Sequence, residues 1–139
     1  MNERDAEQIW SEYYNEIKNR RLAEAELLWS EMVSKGVNSE TVLAIDFRIF
    51  CTEEVRARNI EQQLLESYAT NLNFSAEHNV WFISGTTRPA GVTLDDKTHF
   101  EWVNYMADLS AQNGCVFSNW TLEAPSLELT FSTKDIETN

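Results

Sequence analysis

The chain has 139 residues, 42% hydrophobic and 12% aromatic, with only four glycines and two prolines. That length and composition fit one globular domain with a core of its own and exclude low-complexity and linker classes. The formal net charge of −12 argues against direct, sequence-independent nucleic-acid binding, which needs clustered Lys and Arg to displace counterions; it suits solubility or attraction to a basic partner surface.

From Asn2 to Gly36 the apolar spacing is helical. Ala6, Ile9, Trp10, Tyr13 and Ile17 make one stripe, and Leu22, Ala25, Leu28, Trp29 and Met32 make another. The stripes fall out of phase across Asn19-Arg20-Arg21, which predicts a helical pair or one sharply kinked helix. This is an N-terminal extension over residues 1–36, packed on the main domain. Glu3, Asp5, Glu7, Glu12, Glu16, Glu24, Glu26 and Glu31 take its solvated positions, and helical spacing assigns Trp10 and Trp29 to the core.

Gly36 to Ser39 is a turn, and the main domain runs over 41–132. Thr41 to Cys51 alternates, with Leu43, Ile45, Phe47, Ile49 and Cys51 on a core face and Val42, Ala44, Asp46, Arg48 and Phe50 on a mixed one. Thr52 with Glu53 and Glu54 opens a helix whose buried stripe is Ala57, Ile60, Leu64 and Tyr68. A short strand with Leu72 and Phe74 follows, turns at Glu77-His78-Asn79 and returns as Val80 to Ser84. Gly85 to Val92 is the longest irregular connection.

Thr93 caps the next helix, with Asp95 and Asp96 against its positive end and Trp102, Val103, Met106 and Leu109 on one face beside Phe100 and Ala107. Gly114 closes it, and Cys115 to Trp120 is a strand. Beyond Pro125, Leu127, Leu129 and Phe131 alternate with polar residues as an extra edge strand, and a tail over 133–139 should fray. The order strand, helix, strand, strand, helix, strand predicts an α+β fold, a ferredoxin-like βαββαβ sandwich with an antiparallel sheet and both helices on one face. In that topology Cys51 and Cys115 become neighbours.

The long Met-, Ala- and Leu-containing helix, its glycine break and a last strand ending in Trp resemble the carboxy-terminal half of the regulator of RNase E activity B (RraB) family, over about residues 43–122. The family's Asp-Gly-Trp stands here as Ser118-Asn119-Trp120, in which Asn119 keeps a residue that tolerates a left-handed backbone. The resemblance implies the same ferredoxin-like fold and a non-enzymatic protein that inhibits an endoribonuclease by binding outside its catalytic centre.

No chemistry-bearing motif competes with that. None of the glycines is spaced to cradle phosphate. His78, His99, Cys51 and Cys115 are scattered singly, so no metal site is expected and the histidines read as surface residues. Both cysteines sit at strand positions away from any helix start, as buried thiols, and neither catalysis nor a cofactor is expected. Asp46 and Arg48 read as an ion pair on a solvated sheet face. That face would carry Asp46, Arg48, Phe50, Trp81 and Ile83; if the N-terminal helices do not cover it, it stays open as a partner site. The expected partner-binding residues are therefore Asp46, Arg48, Trp81, Asn119 and Trp120, with Trp120 equally consistent with a packing role.

The expected function is inhibition of a partner protein, an endoribonuclease of RNase E type by resemblance. A bacterial immunity protein that neutralises a nuclease toxin is the alternative, and a small enzyme or ligand-binding domain using the sheet face is a third. The lack of a basic leader, of a spanning apolar run and of a disulfide framework predicts a cytoplasmic protein with no membrane association. Homodimerisation through the sheet edge or face is among the expected assemblies.

Overall fold

A computed structural model of the chain describes residues 3–135; the first two residues and the last four of the predicted tail lie outside the described residues. The elements are α1 (Glu3–Ser34), β1 (Ala44–Cys51), α2 (Glu54–Leu64), β2 (Ala69–Ser75), β3 (Val80–Thr86), α3 (Asp96–Gln112), β4 (Val116–Ala124) and β5 (Leu129–Ser132). The strands form one antiparallel sheet in the order β2-β3-β1-β4-β5. The fold is mixed α+β, with three helices on a five-stranded sheet.

The predicted helical pair is one helix of 32 residues, about 48 Å long at 1.5 Å per residue. Asn19, Arg20 and Arg21 contain no helix breaker, so a shift in apolar phase need not bend the backbone. The phase shift has another cause. Ala25, Leu28, Trp29 and Met32 are buried, while Ile9, Trp10 and Tyr13 are exposed at 49%, 58% and 38%. The second half of α1 is packed on the body, whereas Trp10 and Tyr13 of the first half lie over an open cleft. Trp29 is core, as its spacing implies; Trp10 is not.

Arg21, where continuing the first stripe would require an apolar residue, is anchored instead. Its Nε donates to the Phe117 carbonyl at 2.9 Å, and its Nη1 pairs with Glu24. Glu24 is thereby buried, although its spacing had placed it on the solvated side.

The sheet's helix face is built by parity. Leu43, Ile45, Phe47, Ile49 and Cys51 are all buried, as their alternation predicts. Ile49 pairs with Ile83 and Cys51 with Trp81, so Ile83 and Trp81 share this core face rather than the open one. The open face carries Phe82, Ser84 and Thr86 from β3. Trp81 packs on Phe74 at 4.9 Å between ring centroids. Across β1 and β4 the register slips between Arg48 and Ile49, with Arg48 opposite Asn119 and Ile49 opposite Phe117. Ser118 is the extra residue of a β-bulge. It puts Phe117, Trp120, Leu122 and Ala124 all on the core side, where they are buried. Asn119 needs no left-handed backbone; the non-glycine residues with positive φ among those described are Asn79 and Glu128.

The cap of α3 is Asp95 rather than Thr93: its Oδ1 accepts from the Thr98 amide at 2.7 Å, and Thr98 Oγ1 accepts from the Asp95 amide at 2.9 Å. This reciprocal pair needs a three-residue spacing, which Thr93 does not have to Thr98. Those hydrogen bonds hold the Asp95 carboxyl below its ordinary value. On α2 the helix begins one residue later than Thr52 and Glu53 would suggest, with Glu53 at the N-cap and no side-chain cap hydrogen bond. Thr133–Asp135, where fraying is expected, forms a 3-10 turn in which Thr133 is buried and donates to the Trp120 carbonyl at 3.4 Å.

Gly85 lies opposite Phe47, and a Cβ there would sit 2.1 Å from the Phe47 ring. Gly85→Ala should cost about 1–3 kcal/mol by overpacking, read as a lower urea midpoint. Phe47→Leu in the same chain should recover part of that loss, because the two sites share one volume.

Candidate functional site

Three places concentrate polar or exposed aromatic chemistry. The first is interior. His99 is fully buried, and its Nε2 accepts from Trp120 Nε1 at 3.2 Å. Its ring stacks on Trp29 with centroids 5.4 Å apart. Because an indole can only donate, Nε2 is the acceptor and Nδ1 carries the hydrogen; Nδ1 has no hydrogen-bond partner, and neither has Ser110 Oγ about three turns further along α3. Burial pushes the His99 pKa down to about 4. His99 is therefore a core residue and not the surface residue expected, while His78 is exposed. The signal was present: His99, Val103, Met106 and Ser110 recur at spacings of four and three, on one helix face. Trp120, an expected partner-binding residue, is fully buried beside Phe117, with the rings stacked at 5.3 Å. It is packing, with no surface to offer.

The second place is the open sheet face. A trough of about 510 Å³ is lined there by Asp46, Arg48, Asn71, Ser84, Thr86 and Asn119. It brings together Asp46, Arg48 and Asn119, whereas Trp81 and Trp120 lie on the opposite face. The expected Asp46–Arg48 ion pair is replaced. Asp46 accepts from Thr86 Oγ1 at 2.5 Å and pairs with Arg88 at 3.3 Å, and Arg88 also reaches Glu123 at 3.4 Å. These carboxylates raise the Arg88 pKa further. Arg48 instead lies 5.1 Å from the centroid of the Phe82 ring. Asp46 and Arg48 share the open face, but Arg48, opposite Ser84, leans on Phe82, while Arg88 follows the end of β3 beside Thr86, the partner of Asp46. The trough's lining sets Asp46 among Arg48, Lys134 and a ring of hydroxyl and amide side chains.

The third place is where α1 leaves the body. A cleft of about 580 Å³ opens at the end of the sheet where β1 stops and β4 begins, roofed by Trp10, Tyr13 and Tyr14 and floored by Phe50, Cys51 and Val116. Arg56, Asn59 and Asn113 form its polar rim. The roof is an aromatic cluster, with Trp10 stacked on Tyr14 at 6.0 Å and edge-on to Tyr13 at 5.9 Å. Burial, with the Cys115 thiol adding, raises the Tyr14 pKa, so its hydroxyl stays protonated at neutral pH. Lys18 and Asp108, 3.0 Å apart, tie the root of this arm to α3.

Cys51 and Cys115 are buried neighbours, as the topology predicts. Cys51 Sγ donates to the Gly114 carbonyl at 3.6 Å, and burial together with a hydrogen bond to Cys51 raises the Cys115 pKa. Such a thiol is a poor nucleophile at neutral pH. Among the described residues no group of three His, Cys, Asp or Glu is arranged to hold a metal ion, and no helix is long and apolar enough to cross a membrane.

In comparisons with known proteins, no family model and no curated protein matches the chain.

A buried neutral His99 makes stability depend on pH with a definite sign. Above about pH 6.5 neither state holds the proton; as pH falls from there to about 4, the unfolded chain binds it and the native chain does not. Stability should fall over that window by about 3 kcal/mol in total. Urea unfolding of the wild type and of His99→Gln at several pH values checks this, since the variant should lack that part of the slope.

Proposed function

We propose that this protein is a non-enzymatic regulator that binds another protein and inhibits it, with the projecting half of α1 as its docking element. One observation carries this: Ile9, Trp10 and Tyr13 stand exposed along one stripe of a helix, and residues 5–17 contain Asp5, Glu7, Glu12 and Glu16 but no Lys or Arg. Large aromatics on a preformed helix are what helix-in-groove recognition uses as anchors. Their purely acidic flanks select a groove rimmed by Lys and Arg.

A ribonuclease meets that description, because an enzyme acting on a polyanion carries basic surface. The resemblance of residues 43–122 to the RraB family points to an endoribonuclease of RNase E type. The sheet order β2-β3-β1-β4 and the strand and helix sequence from β1 to β4 support a ferredoxin-like core, with α1 and β5 added to it. The two free, buried cysteines suit a reducing compartment such as the cytoplasm.

Titration of an RNase E-type endoribonuclease with the wild type should give saturable binding that weakens with salt, together with slower RNA cleavage. Trp10→Ser with Tyr13→Ser should weaken binding at least about tenfold and leave stability within about 0.5 kcal/mol, since neither ring is in the core. Absence of binding to the endoribonuclease would overturn the assignment. Neutralisation of a basic nuclease toxin by the same arm would establish the immunity alternative.

A further inference from the structure

The sheet has two edges, and they are handled differently. β5 has four residues and runs straight into the 3-10 turn of Thr133–Asp135, a short edge of the kind that discourages pairing. β2 has seven, Ala69-Thr70-Asn71-Leu72-Asn73-Phe74-Ser75, with no charge, proline or glycine. Its register on β3 is unbroken from Ala69 opposite Thr86 to Ser75 opposite Val80, so no bulge twists the edge away. Among the described residues no main-chain hydrogen bond outside that ladder involves it. Its outward amides and carbonyls are left to solvent.

The neutrality of β2 says which partner fits. Two chains of net charge −12 repel each other, and they approach at least cost through a strip that carries no charge. The strip is also self-complementary. Antiparallel pairing about a two-fold axis at Leu72 sets Leu72 against its own copy, Thr70 against Phe74 and Asn71 against Asn73, so that every cross-strand pair is neutral. The two-fold then repeats Thr70 against Phe74 and buries a Phe74 that is 48% exposed in the single chain.

We propose that β2 is a self-association edge: two copies of the chain pair their β2 strands antiparallel and join their sheets into one. This is independent of the docking arm, because α1 packs on α3, β4 and β5, across the sheet from β2. Dimerisation would leave the aromatic arm free on each copy and present two arms to a partner.

Sedimentation equilibrium of the full chain from micromolar to near-millimolar concentration tests it. The mass should rise from 16.1 kDa toward twice that value. Association should tighten with added salt, which screens repulsion between like-charged copies; this is the opposite salt dependence to that of the basic partner. Asn71→Lys with Asn73→Lys, both at exposed positions, would set like charges opposite each other across the axis and weaken the dimer by about tenfold or more. The variant lowers each copy's net negative charge by two, so general repulsion falls and any weakening must arise at the edge. If the variant folds poorly, amide exchange in the wild type replaces it: β2 amides alone should gain protection as concentration rises. A mass fixed at 16.1 kDa throughout, or a dimer that survives the lysines and is lost on Trp10→Ser, overturns the proposal.

Discussion

The structure depends on one hydrogen bond inside an aromatic wall, from the Trp120 indole to the His99 imidazole. α1 supplies Trp29 to the stack, α3 supplies His99 and Trp102, and β4 supplies Phe117 and Trp120. Without an acceptor in that position the indole N–H would be buried unpaired, at about 1–3 kcal/mol. With it, the imidazole is held neutral and one of its nitrogens is left without a partner. The stacked rings around it offset that cost by dispersion and apolar burial. It is the point at which the long helix becomes part of the domain.

The bulge at Ser118 makes this junction possible. A regular strand alternates faces, so Phe117 and Trp120, three residues apart, would point to opposite sides of the sheet. One inserted residue turns both rings inward. A bulge also disturbs the local ladder, and beside it the Phe117 carbonyl takes the Arg21 guanidinium as its donor. Arg21 thus joins α1 to β4 through main chain, with Glu24 balancing its charge. The polar interruption of the apolar stripe in α1 is the mark of that contact.

Beyond this junction the two halves of α1 have different physics. The second half is stabilised by its buried face; the first must hold its helix with propensity, side-chain pairs such as Gln8 with Glu12 and the aromatic cluster over the cleft. It leaves apolar rings in water, an arrangement that costs free energy unless another surface covers them. The neutral edge of β2 is a second uncovered place, at the far side of the sheet. Both are consistent with a protein whose work is association, one through charge and aromatics and the other through main chain.

Much of the architecture was legible in the sequence because it is encoded locally. Alternation from Leu43 to Cys51, the 3.6-residue stripes of α2 and α3, the hairpin between Phe74 and Val80 and the alternation at Leu129 and Phe131 each need only neighbours a few residues apart. The neighbouring cysteines followed from strand order alone. What only the tertiary structure decided was coverage and parity. Helical spacing says that Ile9, Trp10 and Tyr13 share a face, but whether anything lies over that face depends on where α3 and the sheet end. The face of Trp81 depended on which residue of β1 it meets, and the roles of Trp120 and Asn119 on a single bulged residue. His99 could be found from its spacing with Val103, Met106 and Ser110; that it is a neutral acceptor for an indole 21 residues away could not, because that hydrogen bond exists only once α3 has folded back over β4. Local chemistry sets each element's apolar face, and long-range packing chooses which of those faces to bury.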